Sequence, residues 1–155
     1  MKRFLIIRFT FAVLMILLSA CAFADNGNII ADVSIGKPGD PSKVDRTIKI
    51  TAIEYMFLPS EIAVTQGETI KFVINNKGEK KHEMVIDTKR NLKNYAKMRR
   101  LDPEAVTHGL NQITVGPGEQ KTLIWEFTKT GTIDFACPLP GHFKGMYGKI
   151  IVETK

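Results

Sequence analysis

Cysteine, histidine and tryptophan are scarce in this chain: two, three and one among 155 residues. Two cysteines exclude a disulfide scaffold and an all-cysteine zinc site. No uninterrupted apolar run reaches the roughly 18 residues that a membrane-spanning helix needs. There is no P-loop, no GxSxG, no HExxH and no internal repeat, so the nucleotide-binding, hydrolase-elbow and zinc-protease readings have no support. Long Lys/Arg runs and aromatic-basic RNA motifs are missing too, which removes nucleic acid as a partner. What is present is ordinary: 44% hydrophobic and 25% charged residues, one globular domain's worth of material.

The first residues read as an address. Lys2, Arg3 and Arg8 form a positive region, Phe9 to Leu18 an apolar core broken by Thr10, and Ala22-Phe23-Ala24 a small-x-small cleavage signature. Residues 1–24 are therefore expected to be a signal peptide that takes the protein to the periplasm. Leu18-Ser19-Ala20-Cys21 also resembles a bacterial lipobox, which would make Cys21 a lipidated N-terminus and tie the protein to a membrane. Loss of the three basic residues of the signal lowers the formal charge from +6 to +3. With cleavage after Ala24, Cys137 is the single remaining cysteine. In an oxidising compartment such a thiol has to be buried or hold a metal.

Residues 25–45, rich in Asn, Gly, Asp and Pro, read as a flexible leader to a domain spanning 46–155. From Arg46 onward apolar residues alternate: Ile48, Ile50 and Ala52; Ile62 and Val64; Ile70, Phe72 and Ile74; then Leu123, Trp125 and Phe127. Turn residues separate these runs, as in Gln66-Gly67-Glu68 and Asn75-Asn76-Lys77-Gly78. Further strands fit at about 82–86, 113–115, 131–137 and 148–153. About eight short strands at this spacing predict an all-β fold, a two-sheet Greek-key β-sandwich. One stretch breaks the pattern. At about 88–106, Leu92, Tyr95, Ala96 and Arg99 fall at helical spacing, and Asp102-Pro103 ends the run. Its many Lys and Arg residues read as a solvated helix face, with partner docking as the lesser reading.

The chemistry sits at the end of the chain. Cys137-Pro138-Leu139-Pro140-Gly141-His142-Phe143-Lys144-Gly145-Met146 puts Cys, His and Met on one loop, with four residues between the first two and three between the last two. His82 opens another predicted strand. Taken singly, each of the four is most often core or surface. Together they offer a thiolate, two imidazoles and a thioether. Zinc gains little from a thioether, and calcium and magnesium want oxygen. The set suits copper, with the Met as a weak axial ligand. His108, with no neighbouring His or carboxylate cluster, reads as a surface residue.

Phe135 to Met146 resembles the azurin-type ligand loop of the cupredoxins, in its Cys-x4-His-x3-Met spacing and in the Pro-Gly before the His. Met56-Phe57-Leu58-Pro59, Val64 to Phe72 and Lys81 to Ile86 resemble the same family's N-terminal strands and first ligand. The likeness runs from about Lys37 to Val152 and is strongest to small periplasmic cupredoxins associated with copper resistance. It implies one Cu(I)/Cu(II) ion per chain in a type 1 site, with His82, Cys137 and His142 in the plane and Met146 axial. Glu83 stands where many cupredoxins have Asn. On a regular strand it points away from His82 and Met84 and is not expected to be a ligand.

Two functions follow as expectations. The first is a one-electron carrier: four protein ligands leave no open coordination position, which argues against an enzyme. In the family the second His turns one edge to solvent, so Leu139, Pro140 and Phe143 would form an apolar collar. Lys80, Lys81 and Lys144 suggest a redox or copper-handling protein partner with an acidic docking face. The alternative is a copper-binding protein for tolerance, sequestering or relaying the metal. Residues 25–45 have no Met- or His-rich tract for loose copper loading, which leans toward electron transfer. A multicopper oxidase or nitrite reductase would need more histidines, and a metal-free structural cupredoxin is the remaining reading. A monomer is expected.

Overall fold

The computed structural model describes residues 36–104 and 109–155. The expected signal peptide, Cys21 and His108 lie outside the described residues. Ten strands and one α-helix follow in the order β1 (Lys37–Pro38), β2 (Arg46–Ile53), β3 (Met56–Leu58), β4 (Glu61–Thr65), β5 (Thr69–Asn76), β6 (His82–Asp87), α1 (Lys89–Leu101), β7 (Gln112–Val115), β8 (Gln120–Glu126), β9 (Gly131–Ala136) and β10 (Tyr147–Glu153). They form two five-stranded sheets, β1-β8-β5-β2-β3 and β4-β10-β9-β6-β7. The β2–β5 and β4–β10 pairs are parallel and the others antiparallel, so both sheets are mixed.

Alternation along the strands makes the sandwich. Ile50 and Ala52 of β2, Ile62 and Val64 of β4, Ile70, Phe72 and Ile74 of β5, and Leu123 and Trp125 of β8 all face a single core. Burial of each such side chain is worth about 1.5–3 kcal/mol. Two strands exceed the eight expected. Both β1 and β3 are too short to show a period, two and three residues respectively. Lys37 and Pro38, placed in the leader from composition, pair with Glu126 and Trp125 of β8 and extend the first sheet. A 3-10 turn over Pro41–Lys43 follows, with the Asp40 carboxylate accepting the Ser42 N–H.

Every residue of β6 is buried. Met84 and Ile86 enter the sandwich core, whereas Val85, on the opposite face, packs with Leu92 and Tyr95 of α1. The helix therefore forms a third layer outside the second sheet. Thr88 caps its start by accepting the Asn91 N–H. Asp87 anchors it further: its carboxylate accepts from the Thr88 N–H, Asn91 Nδ2, Tyr95 Oη and Asn111 Nδ2. Leu92, Tyr95, Ala96 and Arg99 make the buried face, and the helix ends at Leu101, before Asp102-Pro103.

Candidate metal centre

His82 opens β6, Cys137 follows β9, and His142 and Met146 lie in the turns that lead into β10. These turns hold themselves in shape. The Cys137 N–H donates to the Met146 carbonyl at 2.9 Å, and the Met146 N–H to the His142 carbonyl at 2.9 Å. The His142 N–H donates to the Leu139 carbonyl at 3.0 Å. Gly141 takes φ +83°, a left-handed turn that swings the chain back toward His142. Pro138 and Pro140 restrict the backbone on either side of Leu139.

On the other side, Asn76 shapes the segment that delivers His82. Its Nδ2 donates to the Lys80 and Val115 carbonyls, at 2.7 and 3.0 Å, and its Oδ1 accepts the Gly78 N–H. Pairing of β6 with β9 then aligns Val85 with Ala136 and brings the two parts of the site together.

The donor atoms converge. His82 Nδ1 lies 3.2 Å from His142 Nδ1, which lies 3.5 Å from Cys137 Sγ, and the three residues have donor atoms within 4.8 Å of one another. Donors that share one ion at about 2.0 Å for nitrogen and about 2.3 Å for sulfur end up about 3.3–3.8 Å apart. The observed spacing therefore fits a shared metal ion. Met146 is fully buried in the same core cluster as Cys137. Thus the structure brings His82, Cys137 and His142 together and places Met146 on the loop that carries two of them.

The surroundings set the resting charge. Burial pushes the Cys137 thiol up to about 11, against the pull of the Glu83 N–H, which points at Sγ across 3.4 Å. Burial lowers the pKa of both imidazoles; His142 adds to the effect on His82, and Lys80 adds to that on His142. The metal-free pocket thus favours a neutral thiol and neutral rings, and a bound cation would displace the thiol proton.

Several contacts were not foreseen from sequence. The basic helix is not solvated throughout: Arg99 is buried and its Nη2 donates to the Glu83 carboxylate, while Nη1 donates to the Pro103 carbonyl at 2.9 Å. Glu83 does point away from His82, as its strand position required, and it finds this partner on the helix side. Tyr55, at φ 70° in the β2–β3 turn, stands edge-on to the His142 ring with centroids 5.1 Å apart. His142 is only 7% exposed, and Leu139 faces the core, so the expected collar reduces to Pro140 and part of Phe143. A turn that lacks apolar periodicity carries no sequence signal for such contacts.

A sequence profile of copper-binding proteins of the plastocyanin/azurin family matches residues 43–153. The chain is 40% identical over 125 residues to the copper-resistant cuproprotein CopI of Rubrivivax gelatinosus, covering 79% of this chain and 76% of that one. It is 28% identical over 150 residues to the copper-resistant cuproprotein CopI of Pseudomonas aeruginosa, covering 77% and 83%. Among solved structures, the reduced auracyanin of Roseiflexus castenholzii superposes with a TM-score of 0.59 at 23% identity, covering 70% of this chain and 98% of that one, a likeness of fold. With the converging thiol and imidazoles inside the matched span, the chain belongs to the plastocyanin/azurin family of copper-binding proteins and is a copper-binding cupredoxin.

Proposed function

We propose that this cupredoxin is an exported, monomeric, non-enzymatic protein of copper tolerance, which holds one copper ion in a type 1 centre. His82 Nδ1, Cys137 Sγ and His142 Nδ1 would hold the ion, and the Met146 thioether would add a weak fourth donor that tunes which oxidation state is favoured. The observation that carries this reading is the buried convergence of a thiol and two imidazoles within 4.8 Å. The names of the CopI relatives turn it toward tolerance. When bound, copper supplies a Cu(I)/Cu(II) couple that thiolate, imidazole and thioether ligands tolerate in both states. The protein's own part is to hold the four donors in one place, and to exclude water and outside ligands. Residues 1–24 act as the export signal, with Cys21 as the alternative, lipidated terminus.

Growth on copper decides the physiological role. Deletion of the gene should lower the copper concentration that cells survive, and the wild-type gene, but not Cys137→Ser, should restore it. Unchanged survival of the deletion strain would defeat the tolerance reading.

A second reading, the one-electron carrier, is favoured by a groove of about 680 Å³ between α1 and the Cys137–Met146 loop. Lys93, Lys97, Arg100 and Lys144 line it, beside Pro140 and Phe143. None of these four cations forms an ion pair among the described residues. An acidic partner face would dock there, next to the site, in a small and salt-sensitive encounter.

A further inference from the structure

The two imidazoles face each other through Nδ1, 3.2 Å apart. A metal held by both Nδ1 atoms leaves the proton of each ring on Nε2, and that N–H needs an acceptor if it is buried. His82 is 1% exposed, and its Nε2 has no hydrogen-bond partner among the described residues. One acidic group faces it. Glu54 Oε1 lies 3.8 Å away, at the end of a side chain that is 32% exposed.

The chain fixes this carboxylate in position. Glu54 sits in the turn between β2 and β3, and its Oε1 accepts the Glu79 N–H at 2.6 Å and the Lys80 N–H at 2.9 Å. These two residues immediately precede Lys81 and His82. A Cβ at residue 78 would collide with both carboxylate oxygens, so Gly78 keeps the place open. Tyr55, the next residue, packs on His142. A single turn therefore touches both histidines.

We infer that Glu54 is a positioning residue for the copper site: its carboxylate accepts the His82 Nε2–H and holds the ring in the tautomer that presents Nδ1 to the metal. This rests on His82 being a ligand. Contraction from 3.8 Å to the 2.7–3.2 Å of an N–H···O bond requires the His82 ring and the anchored carboxylate to approach by about 0.6–1.1 Å. The fixed negative charge would also favour Cu(II) over Cu(I), which lowers the reduction potential. Removal of such an outer partner typically costs about 10–100-fold in metal affinity.

The test uses the full chain loaded with Cu(I), which is diamagnetic, and 15N-resolved NMR of the histidine rings. The expected wild-type spectrum shows a copper-dependent shift of His82 Nδ1 and an Nε2–H that exchanges slowly with water. Glu54→Ala should speed that exchange at least tenfold. Glu54→Gln retains an acceptor, so it should keep most of the protection while raising the reduction potential. A wild-type Nδ1 that shifts with copper beside a freely exchanging Nε2–H would overturn the role of Glu54 alone, whatever the variants do. An Nδ1 that ignores copper would overturn the ligand assignment and this inference together. Equal potentials for wild type and Glu54→Gln would count against the electrostatic part.

Discussion

Glu83 joins the sulfur of Cys137 to the helix: its backbone N–H points at Sγ across 3.4 Å, while its carboxylate ends on Arg99. The side chains of the ion pair are each 6% exposed, so neither charge can be screened by water if the other is removed. Arg99→Met should destabilise the fold by about 3–5 kcal/mol, the usual cost of stranding a buried charge. The double variant Glu83→Gln with Arg99→Met should recover much of that loss. Chemical denaturation of the four proteins of this cycle gives the coupling directly, and additive losses would show that the pair is not a unit.

Ligand substitutions should separate into two classes. Cys137→Ser should abolish the intense thiolate-to-Cu(II) absorption, because a hydroxyl does not replace a soft thiolate. Met146→Gln should keep copper and lower the reduction potential, as expected of a weak axial ligand. Absorption spectra and voltammetry read both effects. Equal loss of copper in the two variants would refute the division of roles.

The metal-free protein should be acid-sensitive through its histidines. Burial holds both His82 and His142 below their usual value of 6.5. The unfolded chain therefore takes up protons first as the pH falls. The contribution of these rings to stability is fully present above pH 6.5 and declines as the pH drops toward their lowered folded values. Denaturation midpoints of the apo protein between pH 7.5 and 5.5, taken as about one unit either side of an unperturbed His, should fall, and His82→Gln should flatten the slope.

Charge at the helix groove should matter to rate more than to stability. Lys93→Glu together with Lys97→Glu should slow electron transfer to an acidic acceptor, and added salt should slow the wild type toward the variant. Both side chains are exposed, so the denaturation midpoint should barely move. Stopped-flow oxidation of the Cu(I) protein at several ionic strengths measures this.

Much of this was legible in the residues themselves. Period-2 alternation marked four strands, four more fitted between the turn residues, and the spacing of Leu92, Tyr95, Ala96 and Arg99 gave the buried face of α1. The loop from Cys137 to Met146 declared its chemistry through residue types that one metal can gather. What stayed hidden depends on contacts distant in sequence. Nothing at Glu54 or Tyr55 announces that a turn 25 residues from Lys80 brackets both imidazoles. Arg99 showed its face but not its partner, because Glu83 lies 16 residues away on a strand. Lys37 and Pro38 look like linker by composition, and become strand through an edge that β8 offers.

The division of the site along the chain has a consequence for biogenesis. His82 precedes His142 by 60 residues, and the pairing of β6 with β9 and of β9 with β10 closes the distance between them. A chain emerging from its N-terminus shows the first imidazole early and the thiol, second imidazole and thioether last. Capture of a metal by all these donors together would therefore wait for the finished molecule. Truncated or half-made copies would lack most of the donors, and copper occupancy would then report complete folding.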